Sequence, residues 1–152
     1  MIYRELYIPK YDWLVHIFYH VTCYWTDEIM KSLERINCPA EMLEESYRNL
    51  TACKLNTGLT YSNYRLKESV MVISKTSSSR EFLDSLKHEL RHLEDHIAAV
   101  FDMPLGGEEI AYLSGYIGKK LSKDIQMFIC NCDFHKHKIK SLCVKSRKKY
   151  KR

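Results

Sequence analysis

The sequence predicts an α+β domain: a small mixed β-sheet packed on about four helices, with one long helix at its centre. Three observations predict this. An aromatic and β-branched run over residues 11–24 alternates with the period of a strand. A second apolar run, Ser-Val-Met-Val-Ile-Ser over 69–74, reads as another strand. Between and after them lie segments whose apolar residues recur at helical spacing behind recognisable start signals. At 152 residues, one domain with a sizeable core is the expectation.

Within the first strand Trp13, Val15, Ile17, Tyr19, Val21 and Cys23 share one face, and Leu14, His16, Phe18, His20 and Thr22 share the other. Apolar side chains on both faces suit a central sheet position. Thr26 caps a helix running through Ile36, with Ile29, Met30, Leu33 and Ile36 inward. Pro39, at a first-turn position, opens a second helix to about Lys54, with Met42, Leu43, Tyr47 and Leu50 inward. Asn56-Thr57-Gly58 reads as a turn and Leu59 to Tyr64 as a short strand. After the 69–74 strand and a polar turn, Ser78 and Glu81 have capping-box spacing for the long helix, Ser77 to Val100. Asp102 to Gly107 breaks it, and Glu108 to about Ser122 forms another helix. Ile125 to Cys132 reads as a short strand, with no regular structure expected beyond.

The net charge of +5 conceals two regions. Residues 136–152 carry nine basic and no acidic side chains, leaving fifteen basic against nineteen acidic in the rest. The expected organisation is one domain over 1–135 and a basic tail over 136–152. The N-terminal residues include Arg4, Glu5, Lys10 and Asp12, which do not form a secretory signal. The most apolar run, Trp13 to Trp25, holds His16 and His20 and is too short to span a bilayer. A cytoplasmic protein without membrane association is therefore expected. Its six cysteines should then be reduced rather than form a disulfide framework.

The long helix carries His88-Glu89-Leu90-Arg91-His92, an H-E-x-x-H motif. Imidazoles four residues apart lie on one helix face and can reach one metal ion, and the intervening glutamate can take a proton from an attacking water. At about 100° per residue, Phe82, Leu86, Leu90, Leu93, Ile97 and Val100 form an apolar arc. His88, His92 and His96 line one border of it, with Glu89 between them and the core. A catalytic zinc needs a third protein ligand. Glu109 borders the apolar face of the following helix (Ile110, Leu113, Ile117, Leu121) and is the first choice; His96 and Glu108 are the alternatives.

His88-Glu89-x-x-His92 followed by Gly107-Glu108-Glu109-Ile110-Ala111-Tyr112 resembles the gluzincin branch of the zincin metallopeptidases. The resemblance covers about residues 70–121 and suggests a minimal zincin-like domain of the kind found in small intracellular or phage-encoded proteins. It implies Zn2+ on His88, His92 and Glu109, Glu89 as general base, and a peptide or protein substrate. It also implies that strand Val70–Ser74 lines the substrate cleft as an edge strand. Arg91 replaces the usual small residue before the second histidine, and Leu113 stands where an acidic partner of the ligand glutamate is common. Tyr112 and Tyr116 share the flank of Glu109 and are candidate oxyanion donors.

A second constellation, Cys130-x-Cys132-x-x-His135-x-His137, is rich in zinc-binding side chains but tighter than a standard finger. With the basic tail, it supports a rival expectation: a non-catalytic nucleic-acid- or virion-associated protein with a structural zinc, binding phosphates through the tail.

Overall fold

The computed structural model describes residues 1–53 and 58–149, the last three as backbone only. It is α+β, as expected. Four strands form one mixed sheet in the order β1-β2-β4-β3. The strands are β1 (Ile2–Ile8), β2 (Trp13–Val21), β3 (Gly58–Asn63) and β4 (Glu68–Ser74). β1 and β3 run antiparallel to their neighbours, while the central pair β2/β4 is parallel. Five α-helices accompany them: α1 (Thr26–Arg35), α2 (Ala40–Thr51), α3 (Ser79–Val100), α4 (Glu108–Ile129) and α5 (Asp133–Lys149).

The sheet is covered on both faces, which explains why β2 and β4 are apolar on both sides. Trp13, Val15, Ile17 and Tyr19 of β2, with Met71 and Ile73 of β4, join the core formed with α3 and α4. Phe18, Val70 and Val72 face the opposite way, onto Ile29, Leu33 and Ile36 beside α1 and Leu50 of α2. The predicted alternation of β2 holds only as far as Tyr19. His20 takes a left-handed backbone conformation (φ 58°) and the β2/β4 register shifts there. This bulge turns Val21 to the α1/α2 face rather than leaving it in line with Tyr19. Burial, with help from the N-terminal ammonium and Lys75, pushes the His20 imidazole down to about 4.

Several expectations need correction. β1 was not anticipated, although Ile2, Leu6 and Ile8 are buried on one side of it. In α2 only Leu50 of the four expected inward residues is fully buried; Met42 and Tyr47 stay exposed. The predicted turn at Asn56-Thr57 lies outside the described residues, and Gly58 already belongs to β3. No strand forms over 125–132. The helical spacing of Ile110, Leu113, Ile117 and Leu121 continues through Ile125 and Phe128, so α4 extends to Ile129. The segment beyond is helical too: Ile139, Leu142 and Cys143 of α5 pack against the main core, and the proposed boundary at 135/136 falls inside that helix. No helix among the described residues is long and apolar enough to cross a membrane.

Cys23 and Cys53 are joined by a disulfide, with Cα atoms 5.1 Å apart, linking the segment after β2 to the end of α2. This overturns the expectation that all six cysteines stay reduced.

Two tests follow. Leu50→Ala should cost about 2–5 kcal/mol, whereas Met42→Ala should stay within about 0.5 kcal/mol of wild type, both read by urea denaturation. Equal costs would contradict the exposure of Met42. Because the His20 pKa is lowered on folding, the unfolded chain binds its proton first as the pH drops. Stability should therefore decline as pH falls from about 6.5 towards 4, with no contribution above that window. His20→Gln should flatten this part of the stability–pH curve; an unchanged slope would exclude His20 as a source.

Candidate metal centre

α3 is fixed at its start by the predicted cap. Ser78 Oγ accepts from the Glu81 backbone N–H at 3.2 Å, and the Glu81 carboxylate accepts from the Ser77 backbone N–H at 2.7 Å. From there Phe82, Leu86, Leu93 and Ile97 bury one face of the helix. His88 and His92 lie on its exposed flank with their Nε2 atoms 3.1 Å apart. Two nitrogens bound to one zinc at about 2.05 Å each would sit that far apart at an N–Zn–N angle of about 100°. The pair thus has the nitrogen spacing of a shared ion, and in this structure the two Nε2 atoms are hydrogen-bonded to each other.

Glu89 is 2% exposed. Its carboxylate accepts from Thr60 Oγ1 on β3 at 2.8 Å. β3 approaches so closely that a Cβ on Gly58 would lie 2.1 Å from the Val72 carbonyl oxygen and 2.8 Å from Glu89 Cγ. Only glycine fits there. Gly58 and Thr60 thus help define the site, and neither was identified from sequence. The available signal was a glycine opening a short strand, which can mark a close backbone approach.

His96, an alternative ligand, is engaged elsewhere. Its Nδ1 lies 2.9 Å from Ser62 Oγ, which is 2.7 Å from Ser69 Oγ, which accepts from Trp13 Nε1 at 2.8 Å. The indole N–H only donates, so hydroxyl protons can pass from Ser69 to Ser62 and from Ser62 to His96, with the imidazole accepting at Nδ1. Burial lowers the His96 pKa, consistent with this neutral form. The chain of bonds ties α3 through β3 to the centre of the sheet.

Glu109 is not brought to the histidine pair. It accepts from Lys10 Nζ at 2.8 Å and from the Tyr11 hydroxyl at 3.4 Å, and Lys10 holds its carboxyl below the usual range. α3 continues for eight residues, about 12 Å, past His92 before the chain turns. α4 then packs on the flank opposite β3, where Ser114 bonds the part-buried Glu94. Among the described residues, no third histidine, cysteine or carboxylate joins His88 and His92 in a set with all ligand atoms within 4.8 Å. Tyr112 is exposed, and Tyr116 donates to the Tyr7 carbonyl oxygen, so both lie on the Glu109 side of the molecule. The resemblance also placed the wrong strand at the cleft. β4 is interior, and β3 is the edge strand beside Glu89 and His96.

A set of three donors does form at the α4–α5 corner. Cys130 Sγ is 3.1 Å from Cys132 Sγ, which is 3.2 Å from His135 Nδ1. This group has the donors to hold a metal ion. The Cys132 thiol is lowered first by the backbone N–H of His135 and then by the Cys130 thiol, as befits a helix N-terminus. His137 does not join, because two residues along α5 place it about 200° around the helix from His135.

No family model, curated protein or solved structure matches this chain.

The close approach at Gly58 is directly testable. Gly58→Ala must push β3 away from Val72 and Glu89, and should destabilise the fold by about 1–3 kcal/mol or more in urea denaturation. A neutral substitution would contradict the approach.

Proposed function

We propose that this protein is a zinc-dependent hydrolase of the metallopeptidase class, with His88 and His92 as metal ligands and Glu89 as general base. The observation that carries the reading is the 3.1 Å separation of the two Nε2 atoms on an exposed flank, with Glu89 next in sequence beneath an edge strand. A bound zinc supplies Lewis acidity, making water more acidic and polarising a substrate carbonyl. Glu89 accepts the water proton and delivers it to the leaving nitrogen. In this structure Thr60 holds the carboxylate beneath β3 through a bond to one oxygen.

The substrate side of the reading rests on β3. Among the described residues it has a strand partner on one side only. A groove of about 500 Å3 runs beside it, lined by Thr60, Ser62, Tyr64 and His96 among others. An extended peptide can bond the free edge of such a strand. The rival reading, nucleic-acid binding through the basic C-terminus, gains less support. Among the described side chains, Lys136 and Lys140 flank one side of the packed face of α5 and Lys138 and Lys145 the other, so these four do not form one basic stripe.

The experiment measures metal content and hydrolysis of an unstructured protein substrate in the full chain. Glu89→Gln should retain metal while hydrolysis falls about a hundredfold or more. His88→Ala should lose one ion per chain, measured with Cys130 and Cys132 replaced by serine in every variant. Undiminished hydrolysis in metal-loaded Glu89→Gln, or an unchanged metal content in His88→Ala, would overturn the proposal. Metal retained in Glu109→Ala would support the two-histidine assignment; loss would replace it with a three-ligand set that includes Glu109.

A further inference from the structure

The α4–α5 corner offers a second site with different chemistry. Cys130 follows the last residue of α4, and Cys132 precedes the first residue of α5. The backbone fixes both ends of the pair: the Cys130 N–H donates to the Gln126 carbonyl at 3.0 Å, and the Cys132 carbonyl accepts from the Lys136 N–H at 3.2 Å. His135 is delivered by the first turn of α5, on the side that faces the thiols. A tetrahedral zinc would hold two thiolates about 3.8 Å apart, and a thiolate and an imidazole nitrogen about 3.5 Å apart. The observed 3.1 and 3.2 Å are shorter than these by about 0.7 and about 0.3 Å, within reach of small side-chain rotations.

We propose that Cys130, Cys132 and His135 form a soft-ligand site for a divalent ion of the zinc class, and that the ion locks α5 onto the body of the domain. Two sulfurs and one imidazole select a thiophilic ion over calcium or magnesium. Binding forms two metal–sulfur bonds and releases to solvent whatever protons the thiols still carry. The three protein donors leave one coordination position for solvent or an outside donor.

The locking role follows from how α5 is seated. Its inward residues Ile139, Leu142 and Cys143 are only partly buried against the core. An open groove of about 590 Å3 runs along part of the helix, lined by Ile139 and Lys140 of α5 and by His20 and Lys75. A helix held by few buried contacts opens locally at low cost. Metal bonds at its first turn would fix the one point where the chain direction into α5 is set. The inference does not depend on the His88–His92 reading, since the two sites share no residue.

The test uses the full-length chain carrying His88→Ala and His92→Ala, with the Cys23–Cys53 disulfide intact and Cys130 and Cys132 as free thiols, so that any metal signal comes from elsewhere. Titration with Co2+ should give a thiolate-to-cobalt charge-transfer band saturating at one ion per chain. Cys132→Ser in this background should weaken binding about a hundredfold or more, since losing even an outer-shell partner costs up to that much. His135→Ala should keep a weaker, altered band. Hydrogen exchange of backbone amides in residues 133–146 should slow on adding metal, and should not respond in the Cys132→Ser chain. Circular dichroism of each variant checks that it folds. No charge-transfer band, or the same band when Cys130 and Cys132 are both serine, would overturn the site. Unchanged exchange in α5 with the ion bound would overturn the locking role.

Discussion

A carboxyl group that leaves water must be given hydrogen bonds, because a buried polar group without a partner is costly. Glu89 meets this demand by accepting from Thr60, and β3 can come close enough to donate because position 58 has no side chain. The orientation of α3 on the sheet follows. Two turns further along, His96 is bonded to Ser62 of the same strand, so two side chains of α3 reach two of β3. With Glu89 turned down and His96 turned aside, His88 and His92 are left on the open flank. The candidate centre is thus a consequence of how one acid is buried.

The network behind His96 adds a second constraint. Trp13 on β2, Ser69 on β4 and Ser62 on β3 form a polar path through the sheet, in a region otherwise filled by Val15, Ile17 and Met71. Each member is bonded in turn, so polar groups buried there are satisfied rather than stranded. Such a path fixes the register of β3 relative to α3 more narrowly than apolar packing alone, which tolerates sliding. The edge strand and the histidine flank are accordingly held in one relative position.

Much of this was legible in the sequence where the signal was local. The capping of α3 by Ser78, the inward residues Ile29, Leu33 and Ile36, and the meeting of His88 with His92 all depend on helix geometry within a few residues. What was missed depends on contacts between distant segments or on a competing period. Strand β1 is as long as β4, but its inward row of Ile2, Leu6 and Ile8 is interrupted by Arg4, whose charge is answered by the distant Asp124 of α4. The α4 continuation was misread because Ile125 to Ile129 is apolar enough to pass as a strand, and only its phase with Ile117 and Leu121 identifies it as helix. Gly58 against Glu89 links residues 31 positions apart, and no local pattern announces it.

The third ligand shows the same limit most sharply. A motif at i and i+4 is self-contained, because the helix itself sets the distance between its histidines. A ligand from another helix instead requires that helix to cross on the correct side. Here α3 has two sides available beside its buried face: β3 occupies the one nearer the histidines, and α4 the other, where Ser114 reaches Glu94. Glu109 therefore begins α4 on the side of Lys10 and Tyr11, and its charge is answered there. The Cys130–Cys132–His135 group has the opposite character. Its donors are within six positions in sequence, yet they converge only because α4 ends and α5 begins between them. A connection of three residues, 130–132, does there what a long-range crossing does not do for Glu109.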